Sequence, residues 1–296
     1  MNEINSTLKP VSRKFNWLSS VSGDSIILSE LNQSMSWFYG SHDGRKTYQE
    51  MLEANNNNIN DNSDINWLPQ YICSLQPNSI LEVGCSSGRM YRHLINHGYL
   101  KNYCGIEVAE HIINKNKILY PQAKWECSSA YEIPYKNESF DIVFSTYVLE
   151  HLIYPEKSLH EMMRVLQPGG YLILVFPDFV SVGRLPSQQM GFSPIESAFK
   201  KLRLGKIIDA IISLYDSRIR LPYALKTASQ RLGPFPVNLS PICLTYPDIM
   251  DADIDAIYIA SKDEIHNWAS INGYSVTYPK GKEGFFRLHA CMSIQK

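Results

Sequence analysis

The sequence predicts an α/β fold: a doubly wound, mostly parallel, seven-stranded sheet with helices on both faces and a helical insert that acts as a lid. Three observations predict it. From residue 65 onward, short apolar runs alternate with stretches of helical period. The links between them are short, as in parallel sheets covered on both faces. Residues 178–256 break the alternation, which then resumes to the end of the chain.

The elements follow in order. Residues 1–53 are mixed in character and carry Trp17 and the cluster Trp37-Phe38-Tyr39. The Asn-rich stretch 55–63 cannot bury apolar surface and reads as a linker. Trp67, Leu68, Tyr71, Ile72 and Leu75 recur at helical spacing, and Pro77-Asn78 ends that helix. Ile80–Val83 reads as a buried strand, Arg89–Asn96 as a helix, and Tyr103–Ile106 as a second strand. Glu110–Leu119 is helical, Lys124–Cys127 and Phe140–Phe144 are strands, and Pro155–Leu166 is a helix with Leu159, Met162, Met163 and Leu166 on its core face. Pro168-Gly169-Gly170 marks a turn into a fifth strand, Tyr171–Phe176. The interrupting stretch holds two helices, around Ile195–Leu202 and Lys206–Tyr215. Ser261-Lys262-Asp263-Glu264 has the form of a capping box, and its helix stops at Asn272-Gly273. Tyr274–Thr277 and Phe286–Ile294 form a closing antiparallel pair.

The totals narrow the function classes. The chain has 296 residues, 44% hydrophobic and 19% charged, with a net charge of -1. It lacks the overall basic field that draws a protein to nucleic acid. Its six cysteines form no CxxC pair, so neither a zinc site nor a redox dithiol is expected, and no metal is predicted. The first residues lack the cationic start and apolar core of a signal peptide. The longest clearly apolar run, Tyr171–Phe176, is too short to span a bilayer. A cytoplasmic protein with no membrane and no nucleic-acid partner is expected.

The most informative stretch is Ser79-Ile-Leu-Glu-Val-Gly-Cys-Ser-Ser-Gly88. A strand runs into a bend of small residues, and a helix follows, which brings backbone N–H groups and a helix N-terminus up to a ligand. Glu107 ends the next strand, 23 residues beyond Gly84, where a carboxylate can hold ribose hydroxyls. Together they point to a nucleoside at the carboxyl ends of parallel strands. A nicotinamide or flavin site would need Gly-x-Gly-x-x-Gly, and Ser86 and Arg89 stand at its second and third glycine positions.

Glu82-x-Gly84-x-Ser86-x-Gly88 resembles the first motif of class I S-adenosylmethionine-dependent methyltransferases, with Ser86 in place of the usual middle glycine. Ser129-Ala130-Tyr131-Glu132-Ile133-Pro134 resembles that family's adenine-side loop, though Ser129 stands where Asp is usual. Ser139–Phe144 with Val148-Leu149-Glu150-His151-Leu152, and Arg164–Gly170, resemble segments of its ubiquinone-type branch. The resemblance implies a Rossmann-like fold and S-adenosylmethionine as cofactor. It implies that the backbone of Gly84, Cys85, Ser86 and Gly88 holds the methionine part, and that Glu82 orients the loop. Glu107 would take the ribose, Val108 would pack on the adenine, Ser129 and Ala130 would line the adenine edge, and Ser145-Thr146 would sit near the cofactor's amino group.

The pattern along the chain divides it into four expected regions: an N-terminal segment, 1–64, as a possible lid; a cofactor-binding core, 65–177; an inserted substrate lid, 178–256; and the rest of the sheet, 257–296. Methyl transfer chiefly needs alignment of the acceptor. An oxygen acceptor also gains from a base, for which His151 is the candidate, with Tyr147 and Glu150 beside it. A structural histidine is the plainer reading. The insert carries nine cations (Arg184, Lys200, Lys201, Arg203, Lys206, Arg218, Arg220, Lys226, Arg231) against four acids up to residue 231, which suits an anionic acceptor or simply a solvated face. O-methylation of a small metabolite or sugar is the leading expectation. N- or C-methylation, a non-catalytic cofactor-binding module and a nucleic-acid methyltransferase are the alternatives.

Overall fold

The computed structural model describes residues 13–40, 67–99, 101–193, 196–246, 249, 251–280 and 288–296. The expected linker at 55–63 lies outside them. The described residues open with β1 (Trp17–Ser19) and α1 (Ser25–Gly40). The regular alternation follows: α2 (Trp67–Ser74), β2 (Ser79–Val83), α3 (Arg89–Asn96), β3 (Asn102–Glu107), α4 (Glu110–Leu119), β4 (Lys124–Cys127), β5 (Phe140–Thr146), α5 (Pro155–Val165) and β6 (Leu166–Pro177). After the interrupting stretch come α11 (Lys262–Ile271), β8 (Ser275–Thr277) and β9 (His289–Gln295).

The main sheet has seven strands in the order β4-β3-β2-β5-β6-β9-β8. Strands β2 to β6 run parallel, and β9 is antiparallel to both β6 and β8. This is the doubly wound architecture expected. Both faces are buried, and the two-residue alternation of a strand shows which residue serves which face. In β2, Leu81 and Val83 join Val143, Leu172 and Leu174 on one side. Ile80 joins Tyr103, Ile142, Phe144 and Ile173 on the other, under α2, α3 and α4.

Two expectations need correction. Pro168-Gly169-Gly170 does not separate helix from strand. Strand β6 already begins at Leu166, which pairs with Phe140, and the proline and glycines form an irregular step before Tyr171 pairs with Ile142. Gly170 has to be glycine there, because a Cβ would lie 2.7 Å from the Asp141 carbonyl oxygen. The interrupting stretch also holds more than two helices. It contains α6 (Phe179–Val182), α7 (Ala198–Arg203), α8 (Ile207–Tyr215), α9 (Leu221–Leu232), β7 (Pro236–Asn238) and α10 (Ile242–Thr245). A π-helical turn, Asp216–Arg220, joins α8 to α9. It stands just before Pro222, whose missing N–H interrupts the regular ladder.

Strand β7 pairs with β1 in a second, two-stranded sheet, so the insert and the N-terminal segment are built together. Glu264 fastens them to the main domain. Its carboxyl group accepts from Ser229 Oγ (2.7 Å), the Phe235 N–H (2.9 Å) and the buried Tyr258 hydroxyl (2.7 Å). The capping bond from the Glu264 N–H to Ser261 Oγ is present, but the Glu264 side chain serves the insert rather than reaching back to the cap.

Candidate active site

Strand order reverses beside β2, where the chain leaves toward β3 on one side and β5 pairs on the other. Such a switch point opens a crevice beyond the carboxyl ends of the strands. Here it is a cavity of about 470 Å³, within the range of small-molecule sites.

The bend after β2 forms its floor. Gly84, Ser86 and Gly88 all have left-handed backbone, with φ of +76°, +44° and +73°. Gly84 tolerates no side chain, because a Cβ would lie 2.2 Å from Val148 Cγ2. The Gly84 and Cys85 N–H groups bond the Ile106 carbonyl at 2.9 and 3.0 Å. Buried Asn116 of α4 donates to the Ser86 carbonyl at 2.7 Å. These bonds pin the bend to β3 and α4.

Glu107 stands at the end of β3. One carboxylate oxygen accepts the Ser86 N–H at 3.2 Å, and the other accepts the Val108 N–H at 2.9 Å. Val108 is an exposed apolar side chain on the rim, and Ser129 and Ala130 continue the wall beyond β4. Glu82 is buried at the base and accepts a bond from the Tyr103 hydroxyl. Burial pushes its carboxyl group up to about 8, so it is largely protonated near neutrality.

The residues expected at the site divide accordingly. Glu82, Gly84, Cys85, Ser86, Glu107, Val108, Ser129, Ala130, Thr146 and His151 line the cavity. Gly88 and Ser145 do not. Gly88 is the left-handed residue before α3 and packs where a Cβ would meet Trp125 at 2.9 Å. Buried Ser145 donates to the Val83 carbonyl at 3.1 Å and ties β5 to β2.

The opposite wall comes from α1, through Asn32, Met35, Ser36 and Tyr39. Among the described residues, none of 178–256 lines the cavity, although that stretch was expected to cover it. It contributes acidic residues from behind, Asp253 within electrostatic reach of His151 and Asp255 closer to the ring. Asp255 Oδ1 lies 3.7 Å from His151 Nδ1, and the Tyr39 hydroxyl donates to Asp255 Oδ2 at 3.0 Å. The Tyr39 and His151 rings meet edge to face at 5.7 Å. Asp255 therefore links the α1 wall to the histidine. Sequence reasoning missed it; the alternating Asp251-Ala-Asp253-Ile-Asp255 was the available signal.

On the other side of the imidazole, Glu150 Oε1 lies 3.8 Å from His151 Nε2. Glu150 is fully buried, and neither carboxyl oxygen has a hydrogen-bond partner. Burial pushes this group too up to about 8, against the opposing pull of His151. A carboxyl group held neutral is a poor base.

Fold and cavity thus define a doubly wound α/β domain with a nucleoside-sized hollow at its switch point. Residues 81–174 match the family described as a methyltransferase domain. The chain is 30% identical over 112 residues to the mitochondrial ubiquinone biosynthesis O-methyltransferase of Candida albicans (35% of this chain, 34% of that one). It is 27% identical to norajmaline N-methyltransferase of Rauvolfia serpentina (34% and 37%) and 28% identical to the ubiquinone/menaquinone biosynthesis C-methyltransferase UbiE of Campylobacter jejuni (32% and 43%). The matches span about a third to two-fifths of the length of these relatives. Residues 81–174 are thus similar to a class I S-adenosylmethionine-dependent methyltransferase domain of the ubiquinone-type branch, and S-adenosylmethionine is the cofactor that such a domain implies.

The residues present fit that cofactor. Ser86 Oγ is buried in the lining and has no hydrogen-bond partner, which leaves it a bond to give. The Glu107 carboxylate, which accepts the Ser86, Val108 and Ala109 N–H groups, lines the cavity as an acceptor of the kind that vicinal hydroxyls need. Val108 offers an apolar surface at the right end for a base.

The buried acids make stability depend on pH in a stated direction. A carboxyl group whose folded pKa is raised stabilises fully below its unfolded value and loses that contribution as pH rises through the folded one. For Glu82 and Glu150 this window runs from about 4.5 to about 8. Glu150→Gln, which cannot ionise, is expected to flatten the fall in melting temperature between these limits. An unchanged pH slope would show that Glu150 is ionised in the folded protein.

Proposed function

We propose that this chain transfers the methyl group of S-adenosylmethionine to a hydroxyl oxygen of a small acceptor, a metabolite or sugar, with His151 as the base. The observation that carries the proposal is the placing of His151 on the cavity wall, with Asp255 3.7 Å from one ring nitrogen. A carboxyl group beside an imidazole fixes its orientation and supports the charge it gains on taking a proton.

In this reading Glu107 holds the ribose hydroxyls and Val108 packs on the adenine, whose edge lies along Ser129 and Ala130. The bend of Gly84, Cys85 and Ser86 carries the methionine part, with Gly88 shaping its exit into α3. Thr146 ends β5 beside its amino group, Ser145 ties that strand to β2 from behind, and Glu82 supports the bend from below. When bound, the cofactor would supply a methyl carbon on a positively charged sulfur, open to displacement by the acceptor oxygen with the C–S electron pair returning to sulfur. His151 takes the hydroxyl proton as the C–O bond forms. Helix α1 closes the acceptor side and, through Tyr39 and Asp255, sets the tilt of the imidazole.

Among the described residues Arg89 is the one Lys or Arg in the lining, so an anionic acceptor would bind there rather than on the insert. Lys201, Lys206 and Arg220 of the insert are already paired with Asp209, Glu196 and Asp216. All six cysteines are free, which suits a reducing compartment such as the cytosol. The relatives named above attack oxygen, nitrogen and carbon. A nitrogen acceptor that arrives unprotonated needs no base, so the histidine discriminates between the readings.

Two measurements test this. Glu107→Ala is expected to weaken binding of S-adenosylhomocysteine at least about tenfold by calorimetry, the scale of one or two charge-assisted hydrogen bonds; unchanged affinity would remove its ribose role. With methyl-labelled cofactor and pools of hydroxyl-bearing metabolites, His151→Ala is expected to lower turnover at least about a hundredfold while cofactor affinity holds. Near-normal turnover would return His151 to a structural role and favour a nitrogen acceptor.

A further inference from the structure

The insert turns its apolar side outward. In α8, Ile207, Ile208, Ile211, Leu214 and Tyr215 are all exposed, Ile208 by 73%. Their spacing of one, three and four residues places them on one helical stripe. Ile219 and Tyr223 extend the stripe through the π-helical turn into α9, and Phe199 and Leu202 of α7 lie exposed on the adjoining helix.

The inward side is polar. Buried Lys201 of α7 donates to the Met190 carbonyl (3.0 Å), to Asp209 Oδ1 (3.2 Å) and to Ser213 Oγ of α8. Asp209 also accepts the Phe192 and Ser193 N–H groups at 2.6 and 3.1 Å. A surface helix of a water-surrounded domain shows the reverse arrangement, with its apolar stripe facing the core. The helix pair is thus held together by charge and hydrogen bonds, and the isoleucines are left facing away from the protein. Scattered exposed apolar residues need no explanation, but a continuous stripe of this length does.

Charge identifies what covers it. Every acid between residues 196 and 231 is ion-paired: Glu196 with Lys206 at 2.8 Å, Asp209 with Lys201 at 3.2 Å, and Asp216 with Arg220 at 2.6 Å. Lys200, Arg203, Arg218, Lys226 and Arg231 are exposed and form no ion pair among the described residues. The Arg203 guanidinium stacks over the exposed Phe199 ring at 4.5 Å, so cation and apolar surface are presented together. A second copy packed on this face about a two-fold axis would bring these unpaired cations against themselves. No helix among the described residues is long and apolar enough to cross a membrane.

We propose that the outward face of α7, α8 and the π-helical turn docks on an anionic membrane surface, lying in the headgroup layer. Apolar side chains on one face, a rim of cations and interfacial tyrosines are the recognition chemistry of such helices. The expectation of no membrane partner concerned spanning segments; this contact spans nothing. It is independent of the methyl-transfer reading.

Co-sedimentation with vesicles tests it, using phosphatidylcholine alone and phosphatidylcholine mixed with phosphatidylglycerol. The full chain is expected to pellet with the mixed vesicles and to be released by salt. Ile208→Asp combined with Ile211→Asp, both at exposed positions, should lower partitioning at least about tenfold with an unchanged melting temperature. Lys200→Glu combined with Arg203→Glu should lower it about fivefold or more for each cation lost. Wild-type protein that stays in the supernatant with both vesicles would overturn the proposal. So would partitioning that ignores the isoleucine changes. A dimer in sedimentation velocity that the isoleucine variant dissolves, with no vesicle binding, would assign the face to a second copy instead.

Discussion

The site depends on one hydrogen bond between two adjacent connections, from the Ser86 N–H to the Glu107 carboxylate. It joins the bend after the first strand of the parallel core to the end of the second. The bend has to pass through left-handed backbone at Gly84, Ser86 and Gly88, and at Ser86 that conformation carries a cost for a residue with a Cβ. The bond from Ser86 to Glu107, with the two bonds to the Ile106 carbonyl and the Asn116 contact, holds the chain there. The same carboxylate is left facing the hollow. One group thus both shapes the bend and lines the hollow.

The acceptor side is organised differently. Its wall is a helix from the N-terminal segment, which packs on the main core through Leu28, Leu31, Met35 and Phe38. The histidine between Glu150 and Asp255 is joined to that helix by Tyr39. Burial holds Glu150 protonated, so the two carboxyl groups flanking the imidazole differ in role: one is neutral and packed, the other is bonded to a hydroxyl and reaches the ring. The α1 wall and the orientation of the imidazole are therefore parts of one arrangement.

Legibility in the sequence followed the range of the interactions. The α3, α4 and β4 bounds, Arg89–Asn96, Glu110–Leu119 and Lys124–Cys127, were readable because local periodicity and stop residues decide them. That Glu82, Gly84, Cys85, Ser86, Glu107, Val108, Ser129, Ala130 and Thr146 share one cavity was readable because they fall in short segments at the ends of successive strands. Helix α9 escaped because Pro222 stands near its start, where proline is tolerated, in a stretch that reads as broken. The step at Pro168-Gly169-Gly170 escaped because Leu166 is claimed by Phe140 on a neighbouring strand, a contact that no local pattern encodes. Asp255 escaped for the same reason: its partners, His151 and Tyr39, come from distant parts of the chain. Helices α7 and α8 of the insert were readable by period, but their inverted polarity became visible only once Lys201, Asp209 and Ser213 were seen to face each other.

The central claim is that the hollow at the switch point encloses a single adenosyl group. Calorimetric titration of the full chain with S-adenosylhomocysteine and, separately, with NAD tests it most directly. The account predicts saturable one-to-one binding of the adenosyl compound and no measurable heat with the dinucleotide. Tighter binding of NAD, or no binding of either, would contradict it.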